Sequence, residues 1–179
     1  MNIILTGLRG SGKTSIGQRL AELLSRPFID TDTLIKAEAG MSIQEFVAQK
    51  GWEAFRDLEH EITRRIATCQ DVVISTGGGL LVFERNRRLL KPSGIVVLLY
   101  ASPAILARRV EQQEGYGDRP PLTDQKSLVE EFQAIWQERE PLYRKVSDLI
   151  FPVEEETSDF RQDIERKARQ LQAVLAPYL

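Results

Sequence analysis

The sequence predicts an α/β fold of three layers: one sheet of five parallel strands with helices on both faces. Three observations predict it. Apolar runs of strand length alternate with segments of helical periodicity along the whole chain. Those runs are short and apolar, as strands buried under helices on both sides require. The stretch GLRGSGKTS, residues 7–15, joins the first run to the first helical segment through a glycine-rich turn.

Each element follows in order. NIILT (2–6) is the first strand, and Ile16, Leu20, Leu23 and Leu24 then recur at helical spacing. PFID (27–30) is a second strand. Ser42-x-x-Glu45 is a capping box that opens a helix, and residues 53–68 form another. DVVIST (71–76) is a third strand, cut off by Gly77-Gly78-Gly79. GIVVLLY (94–100) is the fourth, followed by Ser102-Pro103, a good helix start. DLIFPV (148–153) is the fifth, and Phe160, Ile164, Leu171 and Leu175 mark a closing helix. The polar stretch EQQEGYGDRPPLTDQ (111–125) carries Gly and Pro and reads as a mobile lid within a single domain of residues 1–179. No repeat and no linker interrupts the chain.

Composition removes several classes of function. Lys and Arg number 24 against 26 Asp and Glu, a net charge of −2, so no global basic field holds nucleic acid or an anionic membrane. One cysteine, Cys69, excludes a disulfide framework and a Cys-rich metal site. No apolar run approaches the ~20 residues that span a bilayer, and the expectation is that no targeting segment precedes the first strand. The expectation is a cytoplasmic monomer.

The glycine turn carries the chemistry. Gly7, Gly12, Lys13 and Thr14 fit G-x-x-x-x-G-K-[ST], a spacing that lets backbone N–H groups wrap a phosphate chain beside a mobile ammonium. A plain strand-to-helix turn needs neither the Lys nor the Thr. Thr14 offers its hydroxyl to Mg²⁺. The third strand ends in Thr76 and three glycines, without the carboxylate that a GTPase or motor ATPase holds there. Asp30 and Asp32 stand instead just past the second strand, at the end of the sheet where ligands bind. The bland alternative is that Asp32 caps the next helix and Asp30 sits in the turn.

The chain resembles the shikimate kinase family from Asn2 to about Val153. Six motifs carry the resemblance in order: the phosphate loop (7–14), Asp30-x-Asp32, Phe55-Arg56-x-x-Glu59, Thr76-Gly77-Gly78-Gly79, Arg119-Pro120 and Arg139-x-Pro141-Leu142-Tyr143. The resemblance implies transfer of the ATP γ-phosphoryl group to the shikimate 3-hydroxyl with Mg²⁺, on the route to chorismate. It implies ATP contacts from Gly10, Ser11, Gly12, Lys13, Thr14 and Ser15, with Arg108 near adenine and Arg119 swinging in with the lid. Substrate contacts fall to Asp32, Phe55, Arg56, Gly77, Gly78, Gly79 and Arg139, with the substrate segment at about 31–60. Lys13, Asp32 and Arg119 are the catalytic set, and Asp30 reaches Mg²⁺ through water. Arg56 and Arg139 suit a carboxylate, which the planar guanidinium fork grips best.

The chain departs from the family pattern in three places. The lid reads Arg119-Pro120-Pro121-Leu122, Arg9 stands inside the phosphate loop, and 151–158 has no matching adenine motif. His60 and the run ERNRR (84–88) read as surface, and Cys69 as a structural thiol. The alternatives are another small-molecule kinase of the same fold, acting on gluconate or a nucleotide, or a non-catalytic binding protein.

Overall fold

The computed structural model describes residues 1–112 and 127–179. Residues 113–126, which hold Arg119 and the rest of the expected lid, lie outside the described residues. The strands are β1 (Asn2–Thr6), β2 (Phe28–Asp30), β3 (Val73–Ser75), β4 (Gly94–Tyr100) and β5 (Leu149–Pro152). They form one parallel sheet in the order β2-β3-β1-β4-β5, with Leu5 opposite Ser75 on one side and Val97 on the other. The chain builds one half of the sheet, then crosses to build the other, so the loop after β1 opens at the switch between halves. That is where open α/β sheets bind ligands.

The helices are α1 (Lys13–Leu24), α2 (Thr31–Ala39), α3 (Ile43–Ile66), α4 (Glu84–Leu90), α5 (Pro103–Glu111), α6 (Leu128–Val146) and α7 (Phe160–Leu175). Successive side chains of a strand point to opposite faces, and two cores result. Ile3 and Leu5 pack with Leu20 of α1, Trp136 of α6 and Leu171 of α7. Ile4 packs on the other face with Ile62 of α3, Leu80, and Leu90 of α4.

Four features differ from the sequence pattern. The two helices expected around residue 50 are one run, α3, broken only at Gly51 (φ 82°, ψ 169°). Its Ser42–Glu45 capping box forms as expected. α6 has no counterpart in the pattern: Pro141 stands inside it, where proline removes a ladder bond, and charged residues break up its apolar stripe. Phe160 is 69% exposed and opens α7 without joining the core. His60 is half-buried, and its ring Nδ1 lies 2.8 Å from Oδ1 of the buried Asn86.

One ion pair in α7 sets a pH-dependent part of the stability. Asp163 and Lys167 are 5% and 4% exposed, and Lys167 donates to Oδ2 at 2.5 Å while Arg166 donates to Oδ1 at 2.8 Å. Burial pushes the Asp163 carboxyl up, but the hydrogen bonds from Lys167 and Arg166 outweigh it and hold the group below its ordinary 3.8. A depressed carboxyl gives stability that is full above the unfolded value and is lost as pH falls through the folded one. Asp163→Asn is expected to lower stability by about 1–3 kcal/mol at pH 7. Urea unfolding at stepped pH should show the gap to the native protein closing below about pH 4.

Candidate active site

The phosphate loop is shaped by its glycines. Gly7, Gly10 and Gly12 hold φ of 141°, 81° and 86°, values that side chains rarely tolerate. A Cβ on Gly7 would lie 2.5 Å from the Leu99 carbonyl oxygen, so β4 presses directly on the loop. α1 begins at Lys13 with no side-chain cap, which leaves its first N–H groups and its dipole turned toward the loop. The Lys13 ammonium arches back and donates to the carbonyls of Gly7 and Leu8, each at 2.9 Å.

Thr14 and the two aspartates follow. The Thr14 hydroxyl donates to Asp30 Oδ2 at 2.8 Å. Asp30 is itself the cap of α2, accepting from the Thr33 N–H at 2.9 Å through Oδ1. The helix cap is therefore Asp30, and Asp32 sits in the first turn of α2. Capping by Asp30 turns Asp32 toward the glycine run: a Cβ on Gly77 would lie 2.9 Å from Asp32 Oδ1.

The glycine run after β3 is pinned on several sides. Thr76 donates to the Leu5 carbonyl through both its N–H (3.0 Å) and its hydroxyl (2.9 Å). The Gly77 N–H donates to the Thr31 hydroxyl at 2.8 Å. Gly78 accepts from the Tyr143 hydroxyl, which Arg139 also bonds. Burial pushes that hydroxyl's pKa up, which keeps it a donor. A Cβ on Gly79 would meet both terminal nitrogens of Arg56 at 2.9 Å, so only glycine lets the guanidinium lie against this backbone.

Arg56 and Arg139 reach this place from different helices. On α3 the buried Phe55, Glu59, Ile62 and Ile66 form the inward stripe, and Arg56 lies at its edge. Glu59 is 1% exposed and accepts from Arg56 Nη1 at 2.9 Å. Burial pushes the Glu59 carboxyl up, and the nearby Arg56 pulls it back toward ionisation. Phe55, at 4% exposure, belongs both to the core and to the cavity wall. On α6 the buried Phe132, Ile135, Trp136, Tyr143 and Val146 set a stripe on which Arg139 also falls at helical spacing. Its Nε is buried and has no hydrogen-bond partner among the described residues.

Two hollows result. One is lined by Asp32, Phe55, Arg56, Glu59, the three glycines and Arg139. The other is lined by Gly10, Gly12, Lys13, Thr14, Ser15 and Thr76. Arg9, Asp32 and Gly78 line both and form the wall between them. A third hollow behind the loop is lined by Ser11, Ser15, Arg109, Glu156 and Phe160, among others.

Arg108 and Arg109 part company at this third hollow. The Arg108 side chain is 56% exposed and pairs with Glu156 at 3.0 Å. Arg109 bonds Glu156 and the Val153 carbonyl and reaches Gly10 O at 3.5 Å. The signal was in the sequence: with Leu106, Ala107 and Val110 buried on α5, helical spacing turns Arg108 nearly opposite and Arg109 to the flank. Arg109 therefore lines the third hollow, and Arg108 does not. Arg119 lies outside the described residues.

Comparison with known proteins is consistent across sequence and structure. The family model described as shikimate kinase matches residues 9–173. Shikimate kinase 2 of Photorhabdus laumondii is 43% identical over 148 residues, 83% of this chain and 84% of that protein. The solved shikimate kinase from Acinetobacter baumannii, in complex with shikimate, superposes with a TM-score of 0.85 at 32% identity, covering 99% of this chain and 94% of that one. The shikimate kinase of Bacteroides thetaiotaomicron gives 0.86 at 33% identity, covering 98% of each.

Proposed function

The chain belongs to the shikimate kinase family, and from that premise we propose that it transfers the ATP γ-phosphoryl group to the 3-hydroxyl of shikimate. The observation that carries the reading is the wall shared by the two hollows. Two arginines stand beyond it on one side and a phosphate loop on the other, with Asp32 in the wall itself.

Each end suits its ligand. Arg56 and Arg139 would hold the acceptor carboxylate, and the buried Nε of Arg139 would gain a partner there. A buried donor without one costs about 1–3 kcal/mol. Phe55 would face the ring, and Gly78 and Gly79 would let it approach the backbone. Loop N–H groups and Lys13 would hold the donor phosphates. The third hollow, with Arg109 and Phe160, would take the nucleoside half of ATP.

The residues present fit Mg²⁺. Among the described residues no three His, Cys, Asp or Glu side chains cluster to hold a metal alone. Thr14 and the phosphates would hold the ion, with Asp30 behind them through water, and Mg²⁺ characteristically keeps several waters. When bound, it neutralises charge on the β- and γ-phosphates.

Asp32 orients the acceptor hydroxyl and takes its proton as the new O–P bond forms. The bond from γ-phosphorus to the bridging oxygen breaks, and ADP leaves with that electron pair. Lys13 exchanges its loop carbonyls for phosphate oxygens. Arg119, assigned from its motif alone, would add a further positive charge at the transferring group. We place this activity in a cytoplasmic monomer acting on small molecules, without nucleic acid or membrane. A net charge of −2 offers no global basic field to nucleic acid or an anionic membrane, and among the described residues no helix is long and apolar enough to cross a membrane. The two cores on one sheet support a single domain over residues 1–179.

A coupled assay of ADP release tests the reading, with shikimate set against gluconate, nucleoside monophosphates and other hydroxy acids. Turnover on another acceptor and none on shikimate would overturn it. A second test separates the two ends. Arg56→Lys and Arg139→Lys keep the charge but lose the fork, and each should weaken shikimate binding by about 1–3 kcal/mol. Calorimetric titration should find ATP affinity unchanged in both variants.

A further inference from the structure

Phe83 stands at the cap position of α4 with its ring 36% exposed, and it joins neither core. It does not line the acceptor hollow. Its ring makes a cation–π contact with Arg56, whose Cζ lies 4.7 Å from the ring centre. Two more rings flank the same guanidinium, Phe55 at 5.0 Å and Trp52 at 5.3 Å. Those two lie on α3 itself, one and four residues before Arg56, so helical geometry alone brings them near. Phe83 arrives from a separate element, 27 residues further along the chain.

Among the described residues the guanidinium has a single ion-pair partner, Glu59, engaged through Nη1. One such bond fixes a point, and the Gly79 backbone bounds the fork on one side only. A bidentate grip on a carboxylate needs the plane of the fork fixed as well. An aromatic face attracts a cation and defines a plane, with more effect where water is kept off. Glu59 therefore sets the position of the fork, and the rings set its orientation.

We propose that Phe83 is a positioning residue for the acceptor: its face fixes the plane of the Arg56 guanidinium without touching the substrate. The inference rests on the reading that Arg56 holds the acceptor carboxylate. It makes acceptor affinity depend on a residue outside the pocket and outside the helix that carries the arginine.

The test is steady-state kinetics on four variants. Phe83→Leu keeps an apolar side chain and loses the face; Phe83→Tyr keeps the face. Phe83→Leu should raise the KM for shikimate by about threefold to tenfold, inside the range that a cation–π contact spans between its exposed and desolvated limits. Its kcat, KM for ATP and melting temperature should match the native protein, and Phe83→Tyr should restore the shikimate KM to within twofold. In an Arg56→Gln background, where no cation remains to be positioned, Phe83→Leu should change the shikimate KM less than twofold. An unchanged shikimate KM in Phe83→Leu would overturn the proposal. So would equal damage from Leu and Tyr, or the full effect persisting in the Arg56→Gln background. If Arg56→Gln itself leaves the shikimate KM unchanged, the acceptor reading fails first and this inference with it.

Discussion

Lys13→Met lowers turnover by about 10²–10³-fold, the scale of removing one preorganised charge from a developing transition state. Lys13 has two roles in this structure, and the expected result separates them. Its ammonium donates to the carbonyls of Gly7 and Leu8, so it also ties down the loop that it serves. Methionine keeps the length of the side chain and removes both roles. If the loop tie were all that mattered, the variant would lose stability and substrate affinity, and its kcat at saturation would hold. If the charge acts on phosphates during transfer, kcat falls while the far-ultraviolet circular dichroism stays native. Saturating kinetics and a thermal melt on the same preparation decide between them. A folded variant with near-native kcat would remove Lys13 from the catalytic set.

Asp32→Asn gives the second large effect. The amide keeps the shape of the carboxylate and still reaches a hydroxyl, but it cannot take a proton. General-base contributions run to about 10²–10⁴-fold. Phosphoryl transfer relies more on position and charge than on proton removal, so we expect the lower half of that range, about 10²–10³-fold in kcat. The KM for shikimate should move by less than about fivefold, because the arginine end of the site is untouched. Rapid-quench measurement of the first turnover reads the chemical step without product release. A large rise in KM with kcat preserved would make Asp32 a binding group.

Much of this was legible in the chain. The phosphate loop needs its glycines because β4 presses on it, and a requirement of that kind leaves a fixed pattern. β4 was found at its full length because it is apolar from end to end. The capping box of α3 was found because two residue types three apart perform one reciprocal task. What escaped is equally specific. α6 was hidden by Pro141 and its charges, although Phe132, Ile135, Trp136, Arg139 and Tyr143 keep helical spacing across them. The choice of Asp30 over Asp32 as cap depends on a one-residue shift in where α2 starts, and two aspartates spaced Asp-x-Asp cannot show it. The turn of Arg109 rather than Arg108 toward the third hollow escaped because the direction of a side chain on a short helix needs the buried stripe to be known first. His60 and Asn86 meet across 26 positions, and Phe83 meets Arg56 across a similar gap; no local pattern records such pairs.

The wall between the hollows also bears on how such an enzyme can change over generations. The acceptor side is built mainly from α3, α6 and the glycine run, and the donor side from the phosphate loop, the start of α1 and the end of β3. Mutations on α3 or α6 can therefore drift toward a new acid without disturbing the grip on a nucleotide. Arg9, Asp32 and Gly78 line both hollows and so would answer to two selective pressures at once. Lineages that exchange one substrate for another should accumulate their differences on either side of these three positions and be slowest to alter the three themselves.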